Sequence, residues 1–332
     1  MAGSLAYFII RLEKKEDLKS VWELMISAKI WLILLALACM IISMLLKAYR
    51  YFILVDHTVP SMRFHQFLAP FLVGYGFSVL GPFKTGELVS VEVNKQAQGV
   101  PRTASIAALA IFRTYDLVIT ILFFLIGIWR TIPLLVGTEY QKALQILFFI
   151  ITGMTVLLII ILFYPKVGWF SANLLSKFVR LFSSKFADWL QPRITLILKN
   201  YYNSLRIVAK QGFTAIFALI LSFVRWLLEF LAFQFILNSL NISFNYIDSA
   251  AIVSITLYVS LLTFVPAGLG TGTLTSQLLL ESSGIASDIA AAAVINMTLI
   301  GTGLTLVSAA VAILFLKRQK LVITKEPIAE ES

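Results

Sequence analysis

Residues 30–46 run for seventeen positions without one charged side chain, and residues 143–164 do so over twenty-two. A helix needs about 20 mostly apolar residues to cross the hydrocarbon core of a bilayer. Stretches 104–129 and 213–238 are of similar character, and 287–316 is long enough to cross with tilt. In lipid a chain must satisfy its backbone polar groups internally, which leaves helices or closed barrels. These continuous runs fit helices, because barrel strands alternate in polarity. Only 13% of the chain is charged and 59% is hydrophobic, against about 25% charged in ordinary soluble domains. Too little polar surface exists to cover a water-exposed globule. The fold class expected is all-α, a polytopic membrane protein; a soluble enzyme, a secreted disulfide scaffold and a disordered linker are excluded.

Two further apolar regions, 64–99 and 247–284, are interrupted by Gly and Pro near their middles. Each half is short for a full crossing, so they read as paired half-helices, either crossing or re-entrant. Residues 1–10 lack the pattern of a cleavable signal. In residues 12–25, Leu12, Leu18, Val21, Trp22 and Met25 mark one face, with charges elsewhere. The segment 1–29 therefore reads as an amphipathic interfacial element.

Residues 166–210 carry eight Lys/Arg against the single acid Asp188, with Trp, Phe and Tyr interleaved. Basic side chains concentrate on the cytoplasmic side of membrane proteins. This loop and the tail 317–332 are therefore expected in the cytoplasm of a multi-pass cell-membrane protein. The N-terminal side is left open: its five Lys/Arg favour the inside, while counting crossings back from the loop favours the outside. The net charge of +10 points to anionic headgroups as partners, and not to nucleic acid.

A shift of 185 residues places Gly99-Val100 on Gly284-Ile285, and the breaker Gly81-Pro82 on Pro266-Ala267. The domain 30–316 then divides into units 30–129 and 213–316, joined by the span 143–164 and the loop 166–210. Duplication around discontinuous helices is a sequence sign of transporters.

The chemistry-bearing residues lie at the breaks and within the spans. The first break holds Gly81, Pro82, Lys84, Gly86 and Glu87. Pro suits a first helical turn and Gly permits the bend, so unpaired N–H groups beside Lys84 would suit an anion. A solvated interfacial turn is the alternative. The second break holds Pro266, Gly268 and Gly270; its glycines allow close approach of a ligand or of another helix. Arg113 and Asp116 are three residues apart, and Arg225 and Glu229 four, so each pair shares a helical face. An unpaired charge at the centre of a span costs about 2.5–3.5 kcal/mol, so these groups must pair or line a polar cavity. Both a substrate path and a structural staple fit. Cys39 stands alone, and His57 and His65 are too few for a metal centre. No catalytic residue, metal site or cofactor is expected. No ATP-binding Walker motif is present either.

The order Leu80-Gly81-Pro82-Phe83-Lys84-Thr85-Gly86-Glu87, Gly99-Val100, then Arg113-Thr114-Tyr115-Asp116 resembles the flippase-like integral membrane family that includes the transmembrane region of lysylphosphatidylglycerol synthases. Lys47-Ala48-Tyr49-Arg50-Tyr51 is similar to its basic-aromatic element, and Pro266-Ala267-Gly268-Leu269-Gly270 to its second glycine element. The resemblance covers about residues 30–316. It implies translocation of a lipid with a charged or glycosylated headgroup, with Glu87, Arg113 and Asp116 in a polar cavity and Gly81, Pro82 and Gly86 shaping the break; Arg50, in the basic-aromatic element, is a further substrate-binding candidate. Two departures make the second half less charged. Thr273 stands where the family often has an acid, and Asn296 is the nearest polar group to where it often has a base.

The expected function is a lipid flippase-like transporter, not an enzyme, handling a phospholipid or lipid-linked glycan and compatible with a homo-oligomer. A membrane-embedded enzyme on a lipid-linked substrate, a small-solute transporter and a non-transporting scaffold are the rivals.

Overall fold

A computed structural model describes residues 18–55, 62–80, 86–131, 163–210, 212–262 and 270–318, with scattered positions between 149 and 161. Its elements are α1 (Leu18–Ser27), α2 (Ile30–Val55), α3 (Phe64–Leu80), α4 (Glu87–Gln98), α5 (Arg102–Thr131) and α6 (Pro165–Phe182). There follow α7 (Ser184–Lys210), α8 (Gly212–Ser239), α9 (Tyr246–Leu262), α10 (Thr271–Ser282) and α11 (Ser287–Arg318). No strand occurs among the described residues. Helices α2, α8 and α11, and α5 over Arg102–Gly127, are long and apolar enough to cross a membrane. The all-α membrane class is thus the observed one. Most of the expected span 143–164 lies outside the described residues, as do the tail beyond 318 and His57.

The centre of the bundle is the pair α2 and α8. Ser43 meets Glu229, while Arg50 meets Ser222 further back along α8. That register makes the two helices antiparallel. Lys29 N–H donates to the carbonyl of Ser239 at 3.1 Å, closing one end. Residues 30 and 239 therefore lie at one end of the bundle, and residues 55 and 212 at the other.

Each broken region folds back on itself. In the first, Gly74 abuts Ser90 and Gln98 Nε2 donates to Gln66 O at 3.3 Å. Helices α3 and α4 are therefore an antiparallel hairpin whose two open ends lie together. Gly86, at the N-terminal end of α4, is required by close approach. A Cβ there would collide with the backbone of Phe77 and Ser78. In the second hairpin, Thr256 bonds Ser276 at 2.7 Å and Gly272 abuts Ser260, pairing α9 with α10. Gly270 caps α10 with φ 94°, a left-handed conformation that side chains resist. Gly99 and Gly284, which end the two hairpins, also have positive φ, at 69° and 87°. These contacts show that the two halves of each broken region lie side by side and antiparallel.

The hairpins enter from opposite ends. Val55, Tyr51 and Phe67 share a cluster with Val100, which puts the base of the first hairpin at the 55/212 end. Gln234 Nε2 donates to Phe244 O at 2.7 Å, which puts the base of the second toward the 30/239 end. Each hairpin packs against a long helix of the other unit, α3 on α11 and α9 on α5. Helix α1 docks on the start of α11. Val21 is buried there, Ser20 bonds Asp288 at 3.2 Å, and Trp22 stays exposed. So α1 is tied to the bundle as well as amphipathic. The basic loop forms α6 and α7, which pack together and leave Phe170, Phe178 and Trp189 exposed.

Candidate functional site

Two polar stripes face each other across the α2–α8 contact. Ser43, Lys47 and Arg50 follow a four–three spacing on α2; Ser222, Arg225 and Glu229 follow three–four on α8. Such spacings keep each set on one side of its helix. Helix α5 adds Arg113 and Asp116, and the first turn of α4 adds Glu87. Glu87 also places a negative charge at the positive end of α4, a favourable dipole contact.

The seven ionisable groups form two linked sets. Asp116 Oδ1 accepts from Arg50 NH1 at 2.7 Å and from Arg225 NH1 at 3.2 Å. Arg225 NH2 reaches Glu229 Oε1 at 3.4 Å, and Ser43 Oγ donates to the same oxygen at 2.8 Å. Arg50 also donates to Ser222. In the second set, Lys47 Nζ stands 3.7 Å from Glu87 Oε1, and Arg113 pairs with the same carboxylate. Aromatic faces back the cations: Lys47 lies 4.0 Å from the centre of Tyr75, and Arg50 and Arg225 lie 3.9 Å from Phe112 and Trp226. Each such contact adds up to about 2 kcal/mol when desolvated.

Four bases face three acids, so one positive charge is in excess. Lys47, Arg50, Glu87, Asp116 and Arg225 are buried. Arg113 is the opening, with its side chain 33% exposed. Among the described residues, Arg50 Nε and NH2, Arg225 Nε and the Trp226 indole N–H have no hydrogen-bond partner. Buried donors without partners are costly. A desolvated centre with spare donors and a net positive charge is suited to an incoming anion.

The spacing of Arg113 and Asp116 predicts a pair within α5. Instead they diverge, Arg113 to α4 and Asp116 to α2 and α8, because both partners offer tighter geometry across the helix contact. Arg50, Glu87, Arg113, Asp116, Arg225 and Glu229 come together. Gly86 shapes the first hairpin, and Gly270 caps α10. Gly81, Pro82, Lys84, Pro266 and Gly268 lie outside the described residues. Glu92 sits at the surface, pairing with Arg102 at 2.8 Å, and His65 is exposed.

Sequence reasoning missed Lys47 as a member of this centre. It follows the charge-free run 30–46 and reads there as the end of a span. The signal that finds it is the recurrence Ser43, Lys47, Arg50 on one helical face. Asn94 is fully buried, and neither atom of its amide has a partner among the described residues. Among the described residues, no three His, Cys, Asp or Glu side chains converge as a metal site. From the basic loop, Tyr201 reaches Thr114 on α5 at 3.1 Å. Burial pushes its phenol pKa up, opposed by that hydroxyl contact.

The family model described as the lysylphosphatidylglycerol synthase TM region matches residues 2–315. A UPF0104 membrane protein of Methanocaldococcus jannaschii is 21% identical over 317 residues, covering 94% of this chain and 93% of that protein. No solved structure matches.

Proposed function

Given that the chain belongs to the lysylphosphatidylglycerol synthase transmembrane-region family, a family of membrane proteins related to lipid handling, we propose that it moves a lipid headgroup across the bilayer. The observation that carries this reading is the largely buried cluster of four bases and three acids, most exposed at Arg113 among the described residues. The headgroup phosphate enters beside Arg113 and is met by the spare donors of Arg50 and Arg225. The carboxylates of Glu87, Asp116 and Glu229 hold the bases in place. The acyl chains stay in lipid, so only the headgroup needs a polar route.

The two hairpins, entering from opposite ends, support a duplicated design in which one unit rocks against the other. The basic helices α6 and α7 favour the 55/212 end as cytoplasmic, together with the end of α11. This puts the start of α2 outside, in a cell membrane. The partners are anionic or glycosylated lipids and not nucleic acid, and a homo-oligomer is compatible. No bond-making step is assigned to the chain.

The test is headgroup accessibility of a fluorescent phospholipid in reconstituted vesicles. Arg113→Gln and Arg50→Lys should slow lipid exchange roughly tenfold or more, the effect of losing one charge-assisted contact. Unchanged exchange in both would return the cluster to a purely structural role. That second reading is favoured by the mutual pairing of Asp116 with two arginines.

A further inference from the structure

A hollow of about 140 Å³ lies within the second hairpin, between it, α8 and α11. Five hydroxyls line it: Thr256, Ser260, Thr273, Ser276 and Thr298. The other walls are mainly apolar, with Phe233 and Met297 among them, and among the described residues no ionisable group lines it. It is several times the roughly 30 Å³ that a water occupies.

Four of the five hydroxyl protons are directed elsewhere. Thr298 donates to Val294 O at 2.8 Å, Thr273 to Gly270 O at 3.1 Å, and Ser260 to Thr256 O at 2.7 Å. Thr256 and Ser276 bond each other at 2.7 Å, which engages one of their two protons. A hydroxyl whose proton is engaged presents lone pairs. The hollow therefore offers mainly acceptors and one donor, so its occupant must bring donors and can accept once. A cation would lack a counter-charge among apolar walls, which is costly. Uncharged hydroxyl groups meet both conditions.

Position adds a second argument. Shifted by 185 residues, Tyr75, Glu87, Phe112 and Arg113 fall on Ser260, Gly272, Met297 and Thr298. All four of these later residues line the hollow. It is the place in the second unit that corresponds to the Glu87–Arg113 ion pair in the first. It also adjoins the charged centre, since Phe233 is one turn beyond Glu229 on α8, about 6 Å along the axis.

We propose that this hollow binds the uncharged, polyhydroxylated part of a phosphodiester headgroup, through Thr298, Thr256 and Ser276. The inference rests on the lipid-headgroup reading above and adds the class of headgroup to it.

The test uses the purified full chain and three short-chain lipids of equal charge: phosphatidylmethanol, phosphatidylglycerol and phosphatidylinositol. Affinity should rise about tenfold along this series, as sites built for hydroxyls discriminate against analogues that lack them. Thr298→Val, and separately Ser276→Ala, should flatten the series while leaving phosphatidylmethanol binding unchanged. Equal affinity of the native protein for all three lipids overturns the proposal, as does an undiminished gradient in both variants. A gradient that ignores Arg113→Gln upholds the polyol subsite and instead removes the charged centre from the transport reading. Loss of all binding in native protein overturns both.

Discussion

The two hairpins share an arrangement and differ in chemistry. The first brings Glu87 beside Lys47 and Arg113, filled in by the rings of Tyr75 and Phe112. The second brings hydroxyls around a hollow, with Gly272 and Thr298 at the corresponding positions. One fold thus carries an ionic centre in one half and a neutral, acceptor-lined space in the other. The contrast teaches that the backbone framework does not require the charges. They are costly to bury, and around Thr298 the helices pack without them.

The largest test of this contrast is Asp116→Ala. It leaves Arg50 and Arg225 facing each other without their carboxylate, which should destabilise the protein by about 3–5 kcal/mol. Thermal unfolding in detergent is the measurement; an unchanged midpoint would mean that the cluster is hydrated and not dry. Next comes Thr298→Arg, which places a base in the neutral hollow. It should cost about 2.5–3.5 kcal/mol, and adding Gly272→Glu should recover part of that by recreating an ion pair. Failure of the second substitution to rescue would break the correspondence between the halves.

A smaller effect separates two glycines. Gly86→Ala meets backbone at Phe77 and Ser78, so it should cost about 1–3 kcal/mol by overpacking. Gly272→Ala meets mainly the Ser260 hydroxyl, which can rotate, so it should cost under about 1 kcal/mol. Chemical denaturation of the two variants, side by side, checks the order. The smallest expected change is a gain. Asn94→Leu removes a buried amide with no partner and should raise stability by about 1 kcal/mol. A lower unfolding midpoint for it would show that the amide is satisfied, for instance by water.

The helices and their breaks were legible in the sequence because run length and Gly or Pro placement are local properties. The pairing of the half-helices was not legible. A half-helix of 17 residues, such as α3, carries no local mark of the neighbour it packs on. Only the contacts of Gly74 with Ser90 and of Gln98 with Gln66 show that α3 and α4 lie side by side. The site was half visible. Arg113, Asp116, Arg225 and Glu229 stand out against apolar flanks, whereas Lys47 hides at the edge of a span. The bond partners of Asp116 were not legible, because the nearest base in sequence is not the nearest in space.

By itself the sequence determined that this chain uses lipid as solvent, forms long helices, and interrupts two of its apolar regions. Those outcomes follow from counts of apolar residues and from backbone freedom at single positions. Which charges meet was decided only by tertiary structure. Coulomb attraction depends on distance and dielectric and is blind to chain order. The antiparallel seating of α2 on α8 alone put Arg50 and Arg225 on the same carboxylate oxygen.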